Sequence, residues 1–237
     1  MCRFYIYIGP PDEDLDRALK LSAQRDPLAP RASPDRPFQH KDGWGYAVYL
    51  LNGSIAYYRS GRPIWDDPHI PPIGLAGVVH ARAASGGEPL GAAYAHPFLA
   101  YTRDGHLLFV AHNGSVDKQR LAAELGKDPN RYSDSWLLAL FLADRWDNPD
   151  AALEEALKYR LTALNLGILE VGPEGPKAYA YSYFEGGGEY YKLYIVRGRG
   201  WAAAVSSTLA RYIEAEREEV ELGRLYRLKA PTQSGPT

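Results

Sequence analysis

MCRFYIYI, residues 1–8, sets a run of aromatic and β-branched residues directly behind a cysteine at position 2. Such a run reads as a strand over Arg3–Ile8, so Cys2 stands at the end of a sheet. Once Met1 is removed, Cys2 carries both a thiol and a free α-amine, whose ordinary pKa is about 7.7–8.0. That amine can take the thiol proton, directly or through a water, with no histidine required. A lone cysteine is otherwise most often a small buried hydrophobe. The strand alone does not separate the two readings, and the rest of the chain has to decide.

The chain has 237 residues, 46% hydrophobic, 12% aromatic and 24% charged, the composition of one soluble domain with a sizeable core. We place that domain at residues 2–229, with a flexible tail at 230–237 that contains Pro, Gln, Ser and Gly. A formal net charge of -2 and a pI near 6.3 give no basis for a nucleic-acid groove or an anionic membrane surface. No apolar run approaches the roughly 18 residues of a membrane span. The longest, Leu137–Ala143, falls in an amphipathic helix pattern. The opening residues lack the apolar stretch and cleavage site of a signal peptide, so a cytoplasmic location is expected. One cysteine excludes an intramolecular disulfide and a multi-thiolate zinc site. Five Asn, four Gln and one Met are few thermolabile residues and fit a thermophilic source.

Outward from the first strand, Glu13–Gln24 has apolar Leu15, Ala18, Leu19 and Ala23 at helical spacing. Residues 26–42 hold four Pro and many charges and read as a long loop of the kind that covers sites. Strands follow at Gly45–Leu51 and Ser54–Ser60, joined by the hairpin pair Asn52-Gly53. Further strands are expected at Gly74–Ala81 and His106–His112, with a Gly-rich, Pro-containing loop between them. Helices are expected at Asp117–Leu125, Ser133–Asp144 and Asp150–Tyr159, with Ser133 or Asp134 as a cap. The last third offers strands at Leu164–Val171, Lys177–Tyr183, Tyr190–Arg197 and Trp201–Ser206. Strands, then helices, then strands predict an α+β chain of antiparallel sheets with segregated helices.

Six short motifs recur in a fixed order: MCR (1–3), HKDGWG (40–45), VHARAAS (79–85), HPF (96–98), AHNGSV (111–116) and SDSW (133–136). This order resembles the class II glutamine amidotransferases, the N-terminal-nucleophile hydrolases that use glutamine. YRSGRPIWDD (58–67) and LNLGILEV (164–171) further resemble the stand-alone amidohydrolase subgroup, which includes the γ-glutamyl hydrolase of ergothioneine synthesis. The resemblance implies a four-layer αββα sandwich, two antiparallel sheets between helix layers.

It also implies roles. Cys2 is the nucleophile, and the Asn113 side-chain amide with the Gly114 main-chain N–H forms the oxyanion hole. Such donors matter because they strengthen as charge develops. Arg82 holds the substrate α-carboxylate, for which a guanidinium fork is suited, and Asp134 receives the α-ammonium. Trp44 walls the pocket, Ser85 offers it a hydroxyl, and His96 lies beside it. Each has a plainer reading: Asn113-Gly114 a turn, Arg82 a surface ion pair, Asp134 a helix cap, Trp44 a core residue and His96 a hydrogen-bonded core or rim group. Two departures from the family are Trp136, where many relatives have Glu, and Ser85-Gly86, where the sugar-phosphate type has Thr-His.

The implied activity is hydrolysis of the side-chain amide of glutamine, or of a related γ-glutamyl amide, through a Cys2 thioester, with no cofactor and no metal. His80 and His112 show no ligand spacing with carboxylates. The expected partner is the small-molecule substrate, and ammonia transfer would need a separate synthase subunit. The competing reading is a non-catalytic binding or regulatory module that keeps the pocket and retains Met1.

Overall fold

The computed structural model describes residues 2–11, 14–33 and 35–231. Met1, the first residue of the expected Glu13 helix and most of the expected tail (232–237) lie outside them.

The aromatic run forms β1 (Cys2–Ile8), followed by helix α1 (Asp14–Gln24), β2 (Trp44–Tyr49), β3 (Ile55–Ser60) and β4 (Ala76–Arg82). Then come β5 (Phe98–Tyr101), β6 (Leu107–Val116), α2 (Lys118–Glu124), α3 (Asp134–Asp144), α4 (Pro149–Ala156), β7 (Arg160–Gly172) and β8 (Gly175–Tyr181). The chain closes with β9 (Leu193–Gly198), β10 (Trp201–Ser206), the short α5 (Ser207–Ala210), β11 (Arg217–Glu219) and β12 (Tyr226–Arg227).

These strands build two antiparallel sheets, of order β11-β9-β10-β1-β4-β2-β3 and β12-β8-β7-β6-β5. Strand alternation assigns the faces. From β1, Phe4 and Ile6 join Val78, Phe109, Ala111, Leu169 and Ile195 in the layer between the sheets. Tyr5 and Tyr7 instead point outward and pack with Leu15 and Leu19 of α1, Trp44, Val79 and Leu209. The outer face of the second sheet is covered by α2, α3 and α4 through Leu121, Leu137, Phe141 and Leu153. The result is the expected αββα sandwich, with β1 central in its sheet.

Several expectations change. Leu137–Ala143 is not amphipathic: every residue from Leu137 to Ala143 except Leu140 is buried, because α3 packs against β5 and β6 and also touches α2 and α4. Strand β6 does not stop at His112 but runs through Asn113-Gly114, which pair with Asn165 and Leu164 of β7. β5 occupies part of the expected loop. The described residues of 26–42 form a loop, anchored by the Asp26–Phe38 bridge and by buried Asp26 and His40.

Candidate active site

Register places the chemistry. In the first sheet Cys2 pairs with Arg82, and Phe4 pairs with His80. Cys2, His80 and Arg82 therefore share the phase of Phe4 and Val78, the face turned toward the second sheet. There β6 supplies the facing side chain: the Cys2 main-chain nitrogen donates to Asn113 Oδ1 at 2.9 Å. Cys2 and Asn113 are both buried.

The position of Cys2 is held from behind by a buried network. Arg3 Nε donates to Asp26 Oδ2 at 2.6 Å, and its Nη1 donates to the Tyr190 carbonyl at 2.8 Å. The guanidinium also lies 4.0 Å over the Tyr190 ring. Asp26 further accepts from His40 Nε2 at 2.8 Å and from Thr208 Oγ1 at 2.7 Å. Burial pushes the Asp26 carboxyl up, but the His40 hydrogen bond and the Arg3 charge outweigh it and hold the group below the usual carboxylate range. Removing one partner of such a pair leaves a buried charge and costs about 3–5 kcal/mol, so this network fixes where β1 begins.

On the other side stands the start of α3. Ser133 caps the helix, its Oγ accepting from Trp136 N at 3.2 Å. That leaves Asp134 free of the capping role, one of the two plainer readings of this motif. Its Oδ2 accepts from Val116 N at 3.3 Å and its Oδ1 from Ser135 N at 2.6 Å. His112 locks β6 to the helix: its Nε2 donates to the Ala163 carbonyl at 3.1 Å, so its Nδ1 accepts from Ser135 Oγ at 2.9 Å. Asp42, in the segment before β2, accepts from Ala84 N at 2.9 Å and ties down the chain leaving β4.

These elements enclose a narrow cleft lined by Cys2, Arg82, Ser85, His96, Gly114 and Asp134. Six of the eight expected site residues thus line one cleft, and Asn113 lies beneath it, bonded to Cys2. Arg82 is buried, with Nη1 donating to the Pro89 carbonyl at 2.9 Å, so the surface ion pair is not what it makes. Gly114 is required by close approach: a Cβ there would stand 1.8 Å from the Ala163 carbonyl oxygen.

Trp44 is the correction. It is buried in the outer layer with Tyr46 and Tyr58, ring centroids 5.8 and 5.5 Å away, and does not line the cleft. Its strand phase turns it toward α1. Its neighbour Gly45 faces inward, where a Cβ would come 2.5 Å from the His96 carbonyl oxygen.

Sequence reasoning missed Glu88, which lines the cleft near Asp134 and reaches Lys118 Nζ at 3.4 Å. Burial, and then the Asp134 charge, raise its carboxyl above the ordinary value. Two acids so placed favour a cation between them. The residue lies in a Gly-Gly-Glu-Pro stretch that reads simply as a solvated turn.

Buried polar atoms with no hydrogen-bond partner within the protein mark the same place. Of nine such atoms among the described residues, five are Asn113 Nδ2, His80 Nδ1, both ring nitrogens of His96 and Glu88 Oε2. Each costs about 1–3 kcal/mol if left unsatisfied, so their concentration here marks a polar site that water or a ligand completes. Burial keeps the rings neutral: it lowers His80 to about 3 and His96 well below the ordinary value. A larger groove of about 550 Å³ lies on the outer face of the first sheet, against Tyr5, Tyr7, Asp16 and Ile73. Among the described residues, none of its lining side chains carries an unpartnered buried atom of this kind.

No family model matches the sequence. Over 186 residues the chain is 29% identical to the gamma-glutamyl-hercynylcysteine sulfoxide hydrolase of Mycolicibacterium smegmatis, covering 75% of this chain and 72% of that protein. Among solved structures, the glutamine phosphoribosylpyrophosphate amidotransferase of B. subtilis superposes over 94% of this chain with a TM-score of 0.64 at 15% identity. This chain spans only 46% of that enzyme's length. A glutamine aminotransferase class-II domain protein from Silicibacter pomeroyi matches over 94% of this chain and 92% of its own, with a TM-score of 0.55 and 20% identity. The relative is named a hydrolase and the B. subtilis neighbour an amidotransferase, in keeping with the expectation that this chain is an enzyme. Among the described residues no helix is long and apolar enough to cross a membrane. The chain shares its αββα fold with these solved structures over nearly its whole length, and the order of its six short motifs resembles the class II glutamine amidotransferases.

Proposed function

We propose that this protein hydrolyses a γ-glutamyl amide, glutamine or a compound related to it, with Cys2 as nucleophile after loss of Met1. One observation carries the reading: Asn113 takes the Cys2 main-chain N–H on Oδ1 while its Nδ2 is buried without a protein partner. The amide is thereby oriented by the nucleophilic residue itself, and its remaining donor is available to an oxygen generated beside the sulfur.

The thiol passes its proton to the α-amine, and Sγ attacks the amide carbonyl carbon. Asn113 Nδ2 and the Gly114 N–H stabilise the oxyanion. Collapse breaks the C–N bond, the leaving amine takes the proton, and a γ-glutamyl thioester remains for water to hydrolyse to glutamate. Arg82 pairs with the substrate α-carboxylate, and Asp134 with Glu88 takes the α-ammonium. His96 lines the cleft beside the sulfur, and Ser85 contributes a hydroxyl at its rim. The cleft as it stands has about 20 Å³ of free space, room for little more than one water. Substrate therefore widens the cleft, whose lining includes the exposed Ser85.

The M. smegmatis relative favours a γ-glutamyl compound other than free glutamine as substrate, and hydrolysis over transfer. Delivery of the released ammonia to a synthase is the alternative to hydrolysis, and a stable complex with glutaminase activity stimulated by the synthase substrate would support it. The deciding experiment joins intact mass to labelling with a glutamine-like electrophile. Loss of one methionine and a single adduct on Cys2, abolished in Cys2→Ala, is the expected result. Quantitative retention of Met1 with no adduct would favour the non-catalytic binding module instead.

A further inference from the structure

We propose that Cys2, His80 and His96 form a binding site for one divalent d-block cation of the zinc class, held by a thiolate and two imidazole nitrogens. The donors come from β1, from β4 and from the segment entering β5, and their ligating atoms all lie within 4.8 Å of one another. All three residues are buried. The His80 and His96 rings stand 4.0 Å apart between centroids, tilted by 30°.

The hydrogen bonds favour metal ligation. His80 Nε2 donates to the His112 carbonyl at 3.3 Å, which leaves the lone pair on Nδ1, an atom with no partner in the protein. A ring whose other N–H is held by a main-chain carbonyl is the usual outer-shell arrangement of a metal-bound histidine. Neither ring nitrogen of His96 has a protein partner, so turning that ring toward the sulfur breaks no hydrogen bond. Tetrahedral zinc, with Zn–S about 2.3 Å and Zn–N about 2.0–2.1 Å, draws its donors a little closer than their present spread. Side-chain rotation supplies that closure. One sulfur and two nitrogens select zinc-like ions over Mg²⁺ or Ca²⁺, which prefer oxygen.

On binding, the thiol proton leaves to solvent, and the fourth position is open to water or to the Cys2 amine. If Cys2 is the nucleophile proposed above, the cation withdraws it, and metal becomes a reversible inhibitor that a chelator removes. The site itself does not depend on that reading.

The test uses the full chain without substrate. Stoichiometric Co²⁺ should give a thiolate-to-cobalt charge-transfer band with the d–d bands of a four-coordinate ion, and calorimetry should show one Zn²⁺ per chain. Cys2→Ser, His80→Gln and His96→Gln should each weaken Zn²⁺ binding at least ~10-fold, the scale seen when a metal site loses part of its support. If His80→Gln fails to fold, the wild-type cobalt spectrum and His96→Gln decide. Absence of the charge-transfer band, or wild-type Zn²⁺ affinity in His96→Gln, overturns the proposal. Electrophile labelling of Cys2 in metal-free protein is read separately. Labelling without a cobalt band removes only the metal site, and a cobalt band without labelling removes only the hydrolase.

Discussion

Asn113→Asp isolates the proposed oxyanion donor. The side chain keeps its volume, and its Oδ1 still accepts from the Cys2 main-chain nitrogen, 2.9 Å away, so the junction between β1 and β6 is preserved. What changes is Nδ2, the buried donor with no protein partner, which becomes an oxygen. Loss of one oxyanion donor in a water-poor site removes about 2.7–4 kcal/mol of transition-state stabilisation, or roughly 10²–10³ in kcat. A carboxylate facing a developing oxyanion adds repulsion, so Asn113→Asp should fall at least as far as Asn113→Ala. The two separate in stability: Ala also strands the Cys2 N–H, at about 1–3 kcal/mol for a buried unsatisfied donor. Ammonia release across a range of γ-glutamyl amide concentrations gives kcat and KM, and urea denaturation gives the stability of each variant. KM should move little, since Arg82 and Asp134 are intact, and the whole effect should lie in kcat. A kcat within about threefold of wild type in Asn113→Asp, or a loss confined to KM, would refute the assignment of Nδ2 to the oxyanion.

Arg82→Lys removes the planar fork but keeps the charge; KM for the γ-glutamyl substrate should rise about tenfold or more with a smaller change in kcat, and an unchanged KM would detach Arg82 from the α-carboxylate. Trp44→Leu should cost roughly 2–4 kcal/mol of stability, as large-to-small changes in a core do, and leave KM unaltered; a KM shift in a stably folded variant would return Trp44 to the pocket. Acid should destabilise the fold well above the carboxylate range. Burial lowers His40 from 6.5 to about 4 and His80 from 6.5 to about 3. Below pH 6.5 the unfolded chain therefore binds protons that the native one refuses, so this stability is complete above pH 6.5 and drains as pH falls toward the folded values. Each ring removes on the order of 3 kcal/mol by pH 4; Asp26, held below its ordinary range, adds its loss only at lower pH still. Urea midpoints at pH 7.5 and 4.5 check this, and equal midpoints would contradict neutral buried rings.

Elements whose pairing partners bury apolar side chains were readable from the chain itself. β1, β10 and the β2–β3 hairpin turned by Asn52-Gly53 lie within a residue or two of their expected bounds. β11, Arg-Glu-Glu, is exposed at all three residues and pairs with β9 along its main chain, so no hydrophobic pattern announces it. β5 has four residues behind a Gly- and Pro-rich stretch, too few to establish a period of two. Asn113-Gly114 shows a local signal losing to tertiary structure. The same dipeptide that turns the chain at 52–53 continues a strand at 113–114, because Asn165 and Leu164 of β7 pair with it and the ladder shifts only after Gly114.

The site was legible as residues and not as a place. Cys2, Arg82, Asn113 and Asp134 come from β1, β4, β6 and the first turn of α3, and only the stacking of two sheets brings them together. Motif order supplied the members, whereas strand phase decides which of them turn inward, and phase was available in the sequence. HKDGWG enters β2 with Trp44, Tyr46 and Val48 alternating with Gly45 and Ala47, and the larger set packs outward with α1. Since Trp44 pairs with Ala81 and not with Arg82, it lies on the face opposite the guanidinium, and the period of two alone excludes it from the cleft. Strand phase also accounts for the lack of any ligand spacing among Cys2, His80 and His96. His80 shares the phase of Cys2 one strand away, while His96 arrives from a separate segment, so their meeting is a property of the packed sheets. The proposed nucleophile at a strand end is thus surrounded by groups from distant sequence. Among the described residues the hydrogen bond to Asn113 ties its main-chain nitrogen to them, and the proposed catalysis rests on that bond.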